Sequence, residues 1–289
     1  MWWSTLTGKL EQAKALDPVT GAVSGAVNAV LPSGPVKDAL HGRWLGHQLH
    51  PLLVAVPIGM WSGAILLDLT GGEGARTAAR RLVGAGVLAV APTAASGLAD
   101  WSELGAFQRP KRVGLVHASV NTVTALLYGA SWLARRRGDH ARGRTLALAG
   151  AGGLAVGGYL GGHLAYSQGV GVNRNADEQR KPREWTDAAA LADLDGTTLL
   201  RLDVKGQQVL LVRSGGELRA MGATCSHYGA PLDEGQLVTE DDEQCVQCPW
   251  HASRFRLRDG SVARGPATSP QLSYDVRTVA DRVQVRVRA

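Results

Sequence analysis

"CPWHASRF" (residues 248–255) sets a cysteine and a histidine three positions apart, and "CSH" (residues 225–227) repeats the pair upstream with a single residue between them. Two thiols and two imidazoles on two loops imply a metal. One arrangement puts all four on a tetrahedral zinc ion, for which Cys245, in "CVQC" with Cys248, offers ribbon spacing. The other splits them over two irons, thiolates on one and imidazoles on its neighbour, and needs one Cys and one His from each loop. A gap of one residue suits adjacent metal ions better than a zinc knuckle. Three cysteines in 289 residues exclude a disulfide framework. Cys245 reads as a small buried residue of the strand leading into the second loop.

"TCSHYGAPLDEG" (224–235) followed by "CVQCPWHASRFRLRDGSVARGPA" (245–267) resembles a Rieske 2Fe-2S ferredoxin-type domain, from about Trp185 to the C-terminus. The resemblance implies Cys225 and Cys248 as thiolate ligands and His227 and His251 as imidazole ligands. It also implies that Pro266, in "GPATSP", belongs to a loop shielding the cluster, and that the Ser253 hydroxyl bonds a bridging sulfide. Rieske proteins of quinol-oxidising complexes add a cysteine to each loop and join the two; those positions are Ala230 and Trp250 here, so that disulfide is not expected. Where high-potential members have tyrosine this chain has Phe255. With fewer hydrogen bonds to sulfur, the midpoint is expected low in the Rieske range of roughly −150 to +300 mV.

The mean hydropathy of −0.06 averages two unlike halves. Residues 50–69, 82–99, 113–134 and 145–166 are apolar runs nearly free of charge, long enough to cross a bilayer as helices and apolar on every side. The expected fold class is therefore a membrane α-helical bundle of four transmembrane helices followed by an all-β antiparallel sandwich. Period-two patterns after Asp195, such as "QQVLLVR" and "RVQVRVR", mark the strands. Rows of glycine at four-residue spacing, Gly153, Gly157 and Gly161 beside Gly158 and Gly162, predict close helix packing. The expected boundaries are 1–43 for an interfacial amphipathic segment, 44–171 for the bundle, 172–184 for a polar linker and 185–289 for the cluster domain. The start of the chain does not read as a cleavable export signal. The membrane half resembles, through "LHPLLVAVPIGMW", "GLADW" and "GGHLAYSQGVGV", a bacterial membrane-domain family of unknown function.

Ionisable residues inside a membrane are costly and read as functional. His47, His50, Asp100, His117 and His163 fall at the same end of the predicted bundle. They fit a polar network that fixes packing, a haem or other metal site, or a quinone pocket. The protein is expected to be a multi-pass cell-membrane protein of a bacterial redox chain, exchanging single electrons with a partner protein or quinone. A redox sensor, or the ferredoxin component of an oxygenase or reductase, are the rival readings. Loop arginines nearly balance across the two faces, and the run Arg135–Arg137 before the last span favours the cluster domain outside the cytoplasm. The net charge of +6 sits mostly beside the spans and points to lipid, with no nucleic-acid partner.

Overall fold

The computed structural model describes residues 2–178, 180–194 and 199–288. Thr197 and Thr198, which open one predicted strand, lie outside them. The chain forms two units, Met1–Pro32 with Gln48–Val170, and Ser33–His47 with Gly171–Ala289. Beside the sequence boundaries, the first 32 residues group with the helical unit, whereas residues 33–47 and the linker group with the C-terminal unit.

Among the described residues seven α-helices run in chain order: α1 (Trp2–Gln12), α2 (Asp17–Val30), α3 (Pro35–His41), α4 (His50–Thr70), α5 (Arg76–Ser102), α6 (Gln108–Arg136) and α7 (His140–Gly162). The last four are long and apolar enough to cross a membrane, and only 17 to 28% of the residues in their most apolar stretches are buried within the protein. Leu66, Leu88 and Leu126 face outward among many others, so most of the apolar surface is left for lipid to cover. The interior is thin and aromatic. Trp61 of α4 stacks on Tyr128 of α6, with centroids 4.0 Å apart and planes 8° from parallel.

Glycines let the helices come this close. A Cβ at Gly86 would lie 2.4 Å from Trp61 Nε1, and one at Gly150 would lie 2.7 Å from Tyr128 Cε2. Gly153, Gly157 and Gly161 of α7 lie against Thr124, Asn121 and His117 of α6, as the first predicted row requires. The second row does not pack: Gly158 has no atom within 4 Å of its Cβ position, and Gly162 meets only Tyr166 at 3.9 Å. Spacing alone cannot tell which of two parallel rows meets a neighbour. Arg135, counted with the loop arginines from sequence, is instead buried in α6 and paired with Asp68 of α4.

The C-terminal unit is two antiparallel sheets. One holds β1 (Thr186–Ala190), β10 (Arg282–Val287), β9 (Ser273–Val279), β4 (Glu217–Gly222), β3 (Gln207–Ser214) and β2 (Leu199–Val204) in that order. The other orders β5 (Gln236–Glu240), β6 (Glu243–Gln247), β7 (Arg254–Arg256) and β8 (Val262–Arg264). β3 is buried on both faces because two cores flank it. Leu210 and Val212 join Met221, Val246 and Phe255, whereas Val209 and Leu211 join Tyr274, Val283 and Val285. The first core contains Cys225 and Cys248, so the loops that carry them rest on packed apolar side chains.

Candidate metal centre

Two loops, one between β4 and β5 and one between β6 and β7, close in the same way. The Cys225 N–H donates to Ala230 O (2.8 Å), and the Gly229 N–H donates to Cys225 O (2.9 Å). Likewise the Cys248 N–H donates to Ser253 O (2.8 Å), and the Ala252 N–H donates to Cys248 O (3.1 Å). Each loop needs a left-handed residue four positions after its cysteine. Glycine supplies it at Gly229 (φ +77°), and Ala252 adopts it at φ +57°, which an L side chain does at some cost. The unequal Cys–His spacing had hidden this equivalence.

The loops bring all four side chains together. His227 and His251 lie edge to face, with ring centroids 5.0 Å apart. The Cys225 and Cys248 thiols share a hydrogen bond, which raises Cys225 well above the ordinary thiol range and brings Cys248 down to about 7. Burial pushes the His227 imidazole down to about 3, so the ring is neutral, and its Nδ1 is buried without a hydrogen-bond partner. A buried neutral imidazole with an unpartnered nitrogen and two buried thiols, carried on neighbouring loops, are the donor types a soft metal takes. Among the described residues no group of three His, Cys, Asp or Glu is placed to hold one metal ion, and the side chains pair as thiol with thiol and imidazole with imidazole. The residues therefore fit a split, two-metal centre and not a lone zinc.

Neighbouring residues exclude water and fix the loops. Ser253 is fully buried, and its Oγ accepts from the Ala267 N–H at 3.0 Å, which leaves its own proton to donate. Ala267 follows Pro266, so this bond holds the "GPA" loop against the second cysteine loop. Phe255 is fully buried in the core beneath. The Ser226 hydroxyl donates to Ser269 O (2.6 Å), and the Arg174 N–H donates to Ser226 O (2.8 Å). The Arg174 guanidinium lies over the Tyr228 ring, 5.4 Å from its centroid. Arg174, read from sequence as part of the polar linker, thus borders the site. Cys245 sits fully buried in β6 opposite Val238 and Arg256, and burial pushes its thiol up to about 11, as expected of a structural residue.

The Ser33–His47 segment supplies a contact that sequence reasoning missed. Asp38 of α3, its side chain 6% exposed, accepts from the Gly265 N–H at 2.9 Å. Arg43 and Arg264 flank the same carboxylate at 3.7 and 3.8 Å. Arg43 also donates to Ala263 O. Asp38→Ala would leave the part-buried Gly265 N–H, on the loop that shields the centre, without its acceptor, while Arg43 keeps its bond to Ala263 O and Arg264 its pairing with Glu240. We expect a loss of about 1–3 kcal/mol and faster bleaching of cluster absorbance on warming, with Asp38→Asn, which keeps an acceptor, closer to the parent. Equal bleaching rates in all three proteins would refute this role.

Within the helical unit, His163 does not join the pair formed by His50 and His117. His50 and His117 face each other, with centroids 6.5 Å apart. His163 instead pairs with Glu11 of α1 through Nε2 (2.9 Å), and it opens the π-helical turn His163–Ser167 after α7 rather than lying within that helix. His47 belongs to the other unit, and Asp100 is buried near the end of α5. Sequence placed them at one end by counting helices, but it could not see that α1 would return to take up His163.

Two family models match the chain. One described as Rieske [2Fe-2S] domain covers residues 184–280, and one described as predicted membrane protein (DUF2231) covers residues 46–174. Over 107 residues the chain is 32% identical to apoptosis-inducing factor 3 of Homo sapiens, spanning 36% of this chain but only 17% of that protein. Over 89 residues it is 37% identical to the 3-phenylpropionate/cinnamic acid dioxygenase ferredoxin subunit of Escherichia coli (strain K12), spanning 31% of this chain and 80% of that subunit. Among solved structures, the ferredoxin of carbazole 1,9a-dioxygenase from Nocardioides aromaticivorans IC177 is 31% identical, covering 36% of this chain and 98% of its own, with a TM-score of 0.33.

Proposed function

Because the chain belongs to the Rieske [2Fe-2S] family through its C-terminal domain, we propose that the whole protein is a membrane-bound one-electron carrier held in the bilayer by its DUF2231 domain. Cys225 and Cys248 ligate one iron, and His227 and His251 the other. The carrying observation is the pair of matched loop closures, which set two thiols in hydrogen-bond contact and two imidazoles 5.0 Å apart on a packed core. The cluster, when bound, supplies reversible one-electron chemistry. The chain's own residues keep the thiolate side dry, since Cys225 and Cys248 are 1 and 2% exposed. His251 is only part-buried, and Trp250 beside it is 48% exposed, so a partner approaches from the histidine side.

The 37% identity to a dioxygenase ferredoxin subunit favours one alternative, delivery of electrons to an oxygenase or reductase partner. Electron paramagnetic resonance of the full-length protein in detergent, reduced with dithionite, tests the centre itself. A Rieske-type signal integrating to about one spin per chain is expected. A colourless protein holding zinc would overturn the reading. Stopped-flow mixing with quinol and, separately, with a reduced flavoprotein then distinguishes a membrane-pool carrier from a ferredoxin component. Reduction by neither would leave a sensor as the better account.

A further inference from the structure

His50 is the first residue of α4, and His117 lies in the first third of α6. Their planes stand 80° apart, with centroids separated by 6.5 Å. Each ring is fixed from behind by a backbone carbonyl of another helix. His50 Nδ1 is 3.0 Å from Thr93 O on α5, and His117 Nδ1 is 3.0 Å from Gly157 O on α7. A carbonyl oxygen only accepts, so each Nδ1 donates and each Nε2 is the nitrogen left over for another partner. That pattern orients imidazoles for a metal.

Further features agree. Each ring is seated where only glycine leaves room: a Cβ at Gly97 would come within 2.8 Å of His50 Cε1, and one at Gly161 within 3.1 Å of His117 Cε1. Two metal–nitrogen bonds of about 2 Å, with about 1 Å from each nitrogen to its ring centre, span about 6 Å, close to the observed separation. Asn121 Nδ2 lies 3.1 Å from His117 Nε2 and 3.4 Å from its Nδ1, nearly equidistant from the two ring nitrogens and so off the in-plane line of the Nε2 lone pair. Ser96 Oγ, 3.4 Å from His50 Nδ1, adds no ligand on the Nε2 side.

The ligand number decides the class of metal group. A bare transition-metal ion in a protein takes four or more ligands. Among the described residues no third His, Cys, Asp or Glu joins this pair. A metalloporphyrin brings four equatorial nitrogens and asks the protein for two axial ones. We propose that His50 and His117 are the axial ligands of a haem bound within the helical unit, a second one-electron centre in addition to the cluster. This does not depend on the cluster reading being right.

The test uses the full-length protein in detergent, titrated with hemin. A Soret band saturating at one haem per chain is expected, with the optical and paramagnetic signature of low-spin, bis-imidazole iron. His50→Ala and His117→Ala should each bind hemin at least about ten-fold more weakly or leave it high-spin. His117→Met should restore a six-coordinate haem with shifted bands, an outcome that a merely structural role does not give. His163→Ala should bind as the parent does. The 2Fe-2S signal, followed in every sample, reports that a variant is folded and keeps failure of the two readings apart. Hemin binding absent in a protein that shows the cluster signal, or indifferent to both alanine variants, overturns the proposal. So would copper(II) or zinc(II) binding that requires His50 and His117 while hemin does not bind.

Discussion

Cys248→Ser abolishes the cluster: the purified protein is expected to be colourless, with no Rieske signal, background electron transfer and a C-terminal unit that melts early. The substitution hardly changes shape. Cys248 is 2% exposed in a packed core, and its backbone bonds to Ser253 and Ala252 do not involve the side chain. What changes is the donor. A serine oxygen is harder and far less acidic than the thiol, which the Cys225 hydrogen bond already brings down to about 7, so iron loses the ligand it prefers. Since metal binding is part of the folding free energy of such loops, the loss reaches beyond the colour. Cys245→Ala is the internal control. That thiol is equally buried but lies in β6, away from both loop closures, and its truncation should cost about 0.5–3 kcal/mol with the signal intact. Paramagnetic resonance and iron content on the two variants decide the matter, and a surviving signal in Cys248→Ser would remove this residue from the ligand set.

The two cysteine loops were legible because their chemistry is local: a thiol, an imidazole and the turn that follows lie within a few residues of each other. Even there the sequence misled in one detail. "CSHYGA" and "CPWHAS" look unlike, yet both fold back with the same two backbone bonds, because Ala252 takes the left-handed conformation that Gly229 takes without strain. Asp38 was illegible for the opposite reason. It lies 227 positions from Gly265, and nothing in "PVKDALH" says that its carboxylate will meet a loop near the far end of the chain. The same holds for His163, whose partner Glu11 is 152 positions away. In the bundle, hydropathy reported which segments cross and glycine spacing which faces pack, but of two glycine rows only the one against α6 is used. Of the five polar residues that helix counting placed at one end, His50 and His117 face each other while His163 turns to Glu11, because rotation about each helix axis is set by packing and not by depth.

Arg135 is where hydropathy reading fails most sharply, and it yields the second large effect. Its side chain is 1% exposed and Asp68's is 9% exposed; Nη1 donates to Oδ1 at 2.7 Å while Nη2 bonds Oδ2. Nε donates to the Ser131 hydroxyl at 3.2 Å, which in turn donates to Gly143 O at 2.6 Å. Gly143 is part of the arrangement, since a Cβ there would lie 2.5 Å from Arg135 Cγ. This paired, forked contact links α4 to α6 at the ends opposite His50 and His117, and every donor facing the carboxylate is used. Asp68→Ala strands a guanidinium where water is scarce, and the helical unit should lose about 3–5 kcal/mol. Removing both charges is a different matter, because the desolvation cost of the pair disappears with it. Asp68→Leu combined with Arg135→Met should therefore recover most of the loss, leaving the pair as a device that sets register between the helices more than a source of net stability. Thermal unfolding of the helical unit in detergent, followed by circular dichroism for Asp68→Leu, Arg135→Met and the two combined, measures the coupling. Additive losses would show that Asp68 and Arg135 stabilise the bundle separately, through packing of their carbon chains rather than through each other's charge.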